Sequence, residues 1–455
     1  MNMNMDIEKE KLFTTVPVWK AVISLALPTV ISQLITVVYN MADTFFIGQL
    51  GNSNQVAAAT LAMPLFMFLT AFANIFGIGG ASLISRCIGS GEREKAKHCS
   101  SFCIWSAIII SAIYGMIVIV FNPLLFPLLG ADVNTLEFCA SYIFWTVGIG
   151  AVPTVLNTEL AHLIRAEGYS KQAGLGVAFG GILNIVLDPI FIFVFKMQIT
   201  GAAIATMLSN AAAAIYFFIF IFKIRQKSTI TLSFEYFTIK GGIPQEVLTV
   251  GLPSFIMTLM STLSNTVLNK IISSYSNEAI AGMGIAKKID LMAFAIAQGM
   301  TQGALPLIGF NYSCANQKRM LETLKVLIID CLIVAFVGMG MMFLCAEPIT
   351  RCFINDTYTV KYGCNFLRII CLACPTTALN FFVITVFQAT GKKVQPLILS
   401  LLRKGGLDIP LMFIFNFFIG IDGIAWATPL ADMLALLISI LLIIPYLKNF
   451  SSLKQ

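Results

Sequence analysis

Asn184 and Asp188 stand four residues apart in the stretch GILNIVLDPIF (181–191), which is otherwise built largely of Ile, Leu, Val and Phe. A helix would put this amide and this carboxylate on one face. Pro189 follows at once and removes a backbone donor, which frees a carbonyl near Ile185 as a further oxygen. A second polar set, Thr36, Tyr39, Asn40 and Asp43 in TVVYNMAD, keeps the spacing of one helical face. Thr206 contributes a hydroxyl to another apolar run. Carboxylate, amide and hydroxyl oxygens are the donors that hard cations take, and a carboxylate in apolar surroundings also holds a proton. The chemistry expected of Asp43, Asn184, Asp188 and Thr206 is therefore reversible binding of a proton or a sodium ion. Bond-making catalysis is not indicated, because the chain has no GxxxxGK[ST] loop, no HExxH and no GxSxG turn. No cofactor is expected beyond the coupling ion.

The elements that must position these groups are membrane helices. The chain is 58% hydrophobic and 11% charged, against about 25% charged in soluble domains. Twelve runs reach the roughly 20 residues that cross a bilayer: 18–48, 56–84, 99–125, 135–162, 172–195 and 201–222, then 247–274, 280–310, 321–345, 362–388, 394–418 and 423–446. An aspartate at the centre of such a helix costs about 3 kcal/mol and turns toward protein or a wet cavity. Asp43 lies five residues before Gly48, Asp188 seven before Phe195 and Thr206 five after Gly201. At about 1.5 Å per residue, all three sit at one depth. Pro28 is expected to bend the first helix.

Basic residues stay in the cytoplasm. One set of connections holds Arg86, Arg93, Lys95, Lys97, Arg165, Lys171, Lys223, Arg225, Lys227, Lys240, Lys318, Arg319, Lys392 and Lys393, the other only Lys196, Arg351 and Lys361. Both termini are thus expected inside, and the net charge of +7 reads as this topology signal and not as nucleic-acid binding. No removed signal peptide is expected at the N-terminus. The eleven cysteines are scattered through apolar segments, and Cys371 and Cys374 read as small apolar helix residues.

The two halves repeat at a shift of about 224 residues. LALPTVISQLITVVYN from Leu25 pairs with VGLPSFIMTLMSTLSN from Val250, VAAATLA from Val56 with IAGMGIA from Ile280, RAEGYSKQ from Arg165 with QATGKKVQ from Gln388, and GAAIATMLSN from Gly201 with GIAWATPLAD from Gly423. Six spans per half make the repeats parallel, the pattern of transporters with two lobes about an axis along the membrane normal. The expected architecture is an all-α integral membrane protein of twelve transmembrane helices in two six-helix lobes around a central cavity. Residues 1–222 form the first lobe, 223–245 a cytoplasmic linker and 246–455 the second. Asp43 aligns with Leu268 and Asp188 with no acid, so the cation site is expected in the first lobe alone.

In order along the chain, LALP, DTFFIGQLG, GIGGASLISRCIGSGE, RAEG, NIVLDP and QATG resemble the multidrug and toxic compound extrusion family, the MATE transporters, with a style closer to MepA-like and DinF-like bacterial exporters. The resemblance implies two lobes around a cavity that exports amphipathic organic cations in exchange for sodium ions or protons across the bacterial plasma membrane. It places cation binding on Asp43, Asn184, Asp188 and Thr206, makes Tyr39 a cavity tyrosine beside Thr36 and Asn40, and links the kink at Pro28 to protonation. The NorM-like branch uses an acid in the seventh span, and this chain has none there.

Other charges are read as structural. Lys287 with Asp290 and Lys404 with Asp408 have helical pair spacing, Glu159, His162 and Arg165 are placed at the cytoplasmic interface, and Lys270, Asp330, Arg368 and Asp432 have no assigned partner, which leaves a second site there open. A rival reading is a flippase for a lipid-linked precursor, with Lys270, Lys287, Lys288 and Arg403 facing a pyrophosphate. An integral-membrane enzyme or receptor is the remoter alternative. The partners expected are small organic cations and the bilayer, with the protein a monomer.

Overall fold

The computed structural model describes residues 11–452. Its long helices are α1 (Val18–Gly48), α2 (Ser53–Ser90), α3 (Arg93–Val120), α4 (Leu136–Ile149 bent by 48° into Ala151–Ala166), α5 (Ser170–Val194) and α6 (Gln198–Ile224). The second half repeats them as α7 (Ile243–Ile272), α8 (Asn277–Ser313), α9 (Gln317–Leu344), α10 (Thr357–Ala389), α11 (Val394–Leu401, a π-helical Leu402–Asp408, then Ile409–Ile419) and α12 (Ile421–Ser452). Among the described residues, nine helices are long and apolar enough to cross a bilayer, and bent α4 makes a tenth. The other two are α8, which carries Lys287, Lys288 and Asp290, and α11, which carries Arg403, Lys404 and Asp408.

The internal repeat extends to the punctuation of the helices. Short helices Asn122–Leu128 and Ala346–Arg351 follow α3 and α9 at the same shift. Gly91 ends α2 with φ 81°, and its counterpart Ala315, φ 55°, ends α8. The α4 bend at the π turn Phe144–Ile149 has its counterpart in the 3-10 turn Cys371–Ala373 of α10. Asp132 and Asp356 each accept hydrogen bonds from the backbone and hydroxyl of a threonine three residues on, Thr135 and Thr359; Asp356 thereby caps α10, and Asp132 holds the turn that leads into α4.

The halves meet at the basic end, where α2 packs on α7 and α1 on α8. Glycine makes this approach feasible. A Cβ on Gly79 would clash with the Val247 carbonyl and one on Gly251 with that of Ile75. The mirror pair repeats the arrangement: Cβ atoms on Gly299 and Gly303 would stand 2.7 and 2.6 Å from the Cα atoms of Val30 and Ala26. Ionic contacts close the same end. Glu246 of α7 reaches Arg86 at 3.3 Å and Lys95 at 2.9 Å, and Arg319 donates to the carbonyls of Leu12, Phe13 and Val16. Farther from that end, Phe255 of α7 packs on Phe68 and Phe72 of α2. Beyond it the polar residues Thr36, Asn40 and Asp43 of α1 and Thr258 and Thr262 of α7 stay partly exposed.

The connection between the halves runs without a strand, with one 3-10 turn at Phe234–Tyr236. It is fastened to the first half. Buried Glu167 accepts bonds from the Ser228 hydroxyl and from the backbone and hydroxyl of Thr229. Ser101 and Trp105 donate to the carbonyls of Ser233 and Leu232.

Candidate functional site

Three helices of the first lobe bring the predicted oxygens together. From α5, the Asn184 amide donates to Asp188 Oδ1 at 3.2 Å and to Thr206 Oγ1 of α6 at 3.4 Å. From α1, Asp43 takes a bond from the Tyr142 hydroxyl at 3.4 Å, and the Asp43 and Asp188 charges lie within electrostatic range of each other and of Tyr142. Pro189 ends the regular part of α5 immediately after Asp188, and the chain continues as a π-helical Ile190–Val194.

Asp188 Oδ2, Asp43 Oδ1 and Asn184 Oδ1 are buried with no hydrogen-bond partner, as are Asn157 Oδ1 and Ser209 Oγ nearby. An unpartnered buried carboxylate costs several kcal/mol, and two within range of each other add repulsion. No ion pair with a lysine or arginine reaches either acid among the described residues. The donor set fits a proton or a hard monovalent cation: hydroxyl, amide and carboxylate oxygens, with no thiolate or imidazole. Asn184 and Thr206 also line a polar cavity of about one water's size, together with Tyr39, Asn157, Gly180, Gly181, Ser209 and Asn210.

The other predicted cavity residues lie along α1 in different settings. Tyr39 faces α5, where a Cβ on Gly181 would stand 3.0 Å from its ring. Thr36 donates to its own helix at Ser32, and Asn40 is partly exposed, with its carbonyl accepting from Thr44. Pro28 does not join the acids: it abuts Gly174 of α5 fifteen residues before Asp43, and α1 runs through it unbroken. Sequence reading missed Tyr142, Asn157, Ser209 and Asn210. Asn157 donates to Asn210 at 2.8 Å, and Asn210 to the Thr206 carbonyl at 3.0 Å, bracing the threonine. Asn210 was visible as the residue one turn beyond Thr206, whereas Tyr142 and Asn157 come from α4, whose sequence does not show which of its faces meets the site.

The second lobe alters several expectations. Lys287 reaches Asp290 at 3.7 Å and Lys404 reaches Asp408 at 3.3 Å, the pairs expected from spacing. Asp432, left without a partner by the sequence, is gripped by Arg403 at 2.6 and 3.0 Å, with Thr377 donating to it. The Arg403 guanidinium also lies 5.0 Å from the Phe381 ring. Arg403 and Lys287 are therefore engaged by acids, which removes two of the four cations that a pyrophosphate-binding flippase would use. Glu159, His162 and Arg165 are not at a solvated interface but buried inside the first lobe, where Arg165 bonds the His162 ring at 3.1 Å and Gly77 of α2 packs over His162. Adjacent helices α2 and α3 enclose that end of α4, which sequence spacing does not reveal.

At the 224-residue shift Asp408 matches Asn184, each fourteen residues into its helix. Thr428, the repeat partner of Thr206, donates to Asp408 at 3.3 Å, where in the first lobe Asn184 donates to Thr206.

Comparison with known proteins agrees with this architecture. The MatE family model matches residues 28–190 and again 253–414, the two repeats. The multidrug export protein MepA of Staphylococcus aureus (strain NCTC 8325 / PS 47) is 30% identical over 431 residues, 95% of this chain and 94% of that protein. That of Staphylococcus haemolyticus (strain JCSC1435) is 29% identical over 416 residues, 91% of each. A crystal structure of a MATE protein in complex with MaL6 superposes with a TM-score of 0.91 at 24% identity, covering 97% of this chain and 98% of the other. An outward-facing multidrug resistance MATE transporter superposes at 0.88, with the same identity and coverage. With both repeats matched, at the shift read from the sequence and in the same twelve-helix fold, the chain belongs to the MatE family.

Proposed function

We propose that the protein is a secondary active multidrug exporter, exchanging amphipathic organic cations for protons or sodium ions by alternating access in a bacterial plasma membrane. The basic end and both termini face the cytoplasm, so the glycine-lined seam closes the inner side and the protein stands open to the outside. The observation that carries the reading is the cluster of unpartnered buried oxygens on Asp43, Asn184 and Asp188, a cation site with no cation of its own. The MepA relatives, multidrug export proteins by name, supply the substrate class.

An external ion entering between Asp43 and Asp188 neutralises the charge that holds a cationic drug, and the drug leaves outward. Competition of the two ligands for one negative site couples their movements. The protein acts as a monomer, and each lobe supplies one wall of the cavity, where methionine and phenylalanine accommodate varied shapes. Efflux of ethidium from loaded cells under imposed sodium or pH gradients tests this. Wild type should export, and Asp43→Asn and Asp188→Asn at matched expression should fall to the level of empty cells. Export undiminished in both variants would contradict the assignment.

A further inference from the structure

Lys288 lies in the half of α8 away from the basic end. It is exposed, and among the described residues it has no hydrogen bond, ion pair or ring contact. The neighbouring charges cancel in pairs: Lys287 with Asp290, Lys404 with Asp408 and Arg403 with Asp432. A lysine within a spanning helix turns toward protein or a water-filled cavity, and helix geometry shows which applies here.

Lys288 stands eleven residues before Gly299 and twenty-one before Gly309, about three and about six turns, so the three share one broad face of α8. At the basic end that face is shut against the first lobe: a Cβ on Gly299 would press on Val30 of α1, and one on Gly309 would stand 2.5 Å from Ser85 Oγ of α2. Farther out the same face opens. Gly284, one turn beyond Lys288, has nothing within 4 Å of a Cβ position, and Leu291 is exposed. The other side of α8 is closed by α10, where Gly282 abuts Tyr362 and Gly363. Lys288 therefore points into the space between the lobes. Measured outward from the Gly299–Val30 contact, Lys288 is eleven residues along α8 and Asp43 thirteen along α1, about 17 and 20 Å at 1.5 Å per residue. The ammonium and the first-lobe acids thus sit at nearly one height, in opposite lobes.

We propose that Lys288 is a specificity-determining residue that sets the charge of the cargo: its ammonium makes the cavity complementary to a single positive charge and disfavours a second. Ionised Asp43 and Asp188 carry two negative charges and Lys288 one positive, so one cation, drug or ion, brings the cavity to neutrality. This rests on reading the first-lobe acids as the site that drug and ion share. The lysine acts through its field and needs no contact with the cargo. For a charge about 10 Å away at an effective dielectric constant of about 20, each positive charge on the ligand alters affinity on the order of tenfold.

The test is equilibrium binding to purified full-length protein, followed by fluorescence at fixed pH and ionic strength, of ethidium and of propidium. Ethidium is a monocation, and propidium carries the same ring system with a second, quaternary ammonium charge. The ratio of the two dissociation constants is the readout, because a loss of folded protein does not move it. Lys288→Met should shift the ratio toward propidium by about tenfold, Lys288→Arg should keep the wild-type ratio, and raised ionic strength should shrink the shift. If Lys288→Met is too unstable to purify, Lys288→Gln takes its place with the same expectation. A wild-type ratio in the neutral variant, or a change of equal size for both dyes, would overturn the proposal. Failure of the first-lobe reading would show separately, as Asp43→Asn and Asp188→Asn binding both dyes as tightly as wild type, and would remove the ground of the proposal with it.

Discussion

At the scale of single residues, the first-lobe site is defined by which polar atoms lack a partner. Asn184 holds Asp188 and Thr206 together, and Asn210 braces the helix behind Thr206. Thr206→Val keeps the shape and removes one oxygen. By analogy with the loss of groups that orient metal ligands, it should weaken the coupling ion about 10-fold or more, read as a rise in the ion concentration that half-saturates drug release. Tyr142→Phe removes the bond to Asp43 and should act in the same direction but more mildly, because Asp43 is one of two acids. Asp43, Asn184, Asp188 and Thr206 were legible in the sequence because charge and amide stand out against lipid-facing residues, and helix geometry converts residue number into depth. The α4 contributions were not, since a tyrosine or an asparagine in a mixed stretch carries no sign of which helix face meets the site. Arg403 with Asp432 was hidden for a related reason: the partners lie on different helices 29 positions apart, and spacing within one helix says nothing of such pairs.

At the scale of elements, glycine seams and aspartate caps do the positioning. Alanine at Gly251 would force α7 off the Ile75 carbonyl, an overpacking that typically costs about 1–3 kcal/mol. Gly251→Ala should therefore favour separation of the halves at the basic end. Faster labelling of a cysteine introduced at Ile75 by a cytoplasmic thiol reagent would register it, and unchanged labelling would count against the seam as the closed gate. The caps make a pH prediction. Hydrogen bonds from the Thr135 hydroxyl and backbone hold the Asp132 carboxyl below the usual carboxylate range, and the Thr359 backbone and hydroxyl do the same for Asp356. A group depressed in the folded state stabilises fully above its unfolded pKa, about 3.9, and loses that contribution as pH falls through the folded value. Amide exchange at Asn134 and Thr135, ahead of α4, and in the first turn of α10 should therefore accelerate in acid relative to an Asp132→Asn, Asp356→Asn variant. The asparagines cap equally well and do not titrate. Helix number and order were readable from apolar run length. The π-helical turns and the bend in α4 were not, because they arise where bulky helices pack and at Gly150, and no single residue type announces them.

At the scale of the whole molecule, duplication followed by divergence explains the asymmetry of function. Both lobes keep the same punctuation, from Asp132 and Asp356 to the paired seam glycines, but among the described residues Asp43 and Asp188 of the first have no ion pair, whereas Asp290, Asp408 and Asp432 of the second are paired with lysine or arginine. The shift of about 224 residues exposed the duplication, and at that shift Asp408 falls on Asn184 and takes its place beside Thr428. The central claim is that one negative site serves drug and ion in turn. Equilibrium binding of ethidium to the purified protein, followed by fluorescence while sodium ion or proton concentration is raised, tests it most directly. The account predicts displacement of bound ethidium by the coupling ion in wild type, with weak ethidium binding that the ion no longer displaces in Asp188→Asn. Ethidium bound equally by both proteins, and undisturbed by either ion, would contradict it.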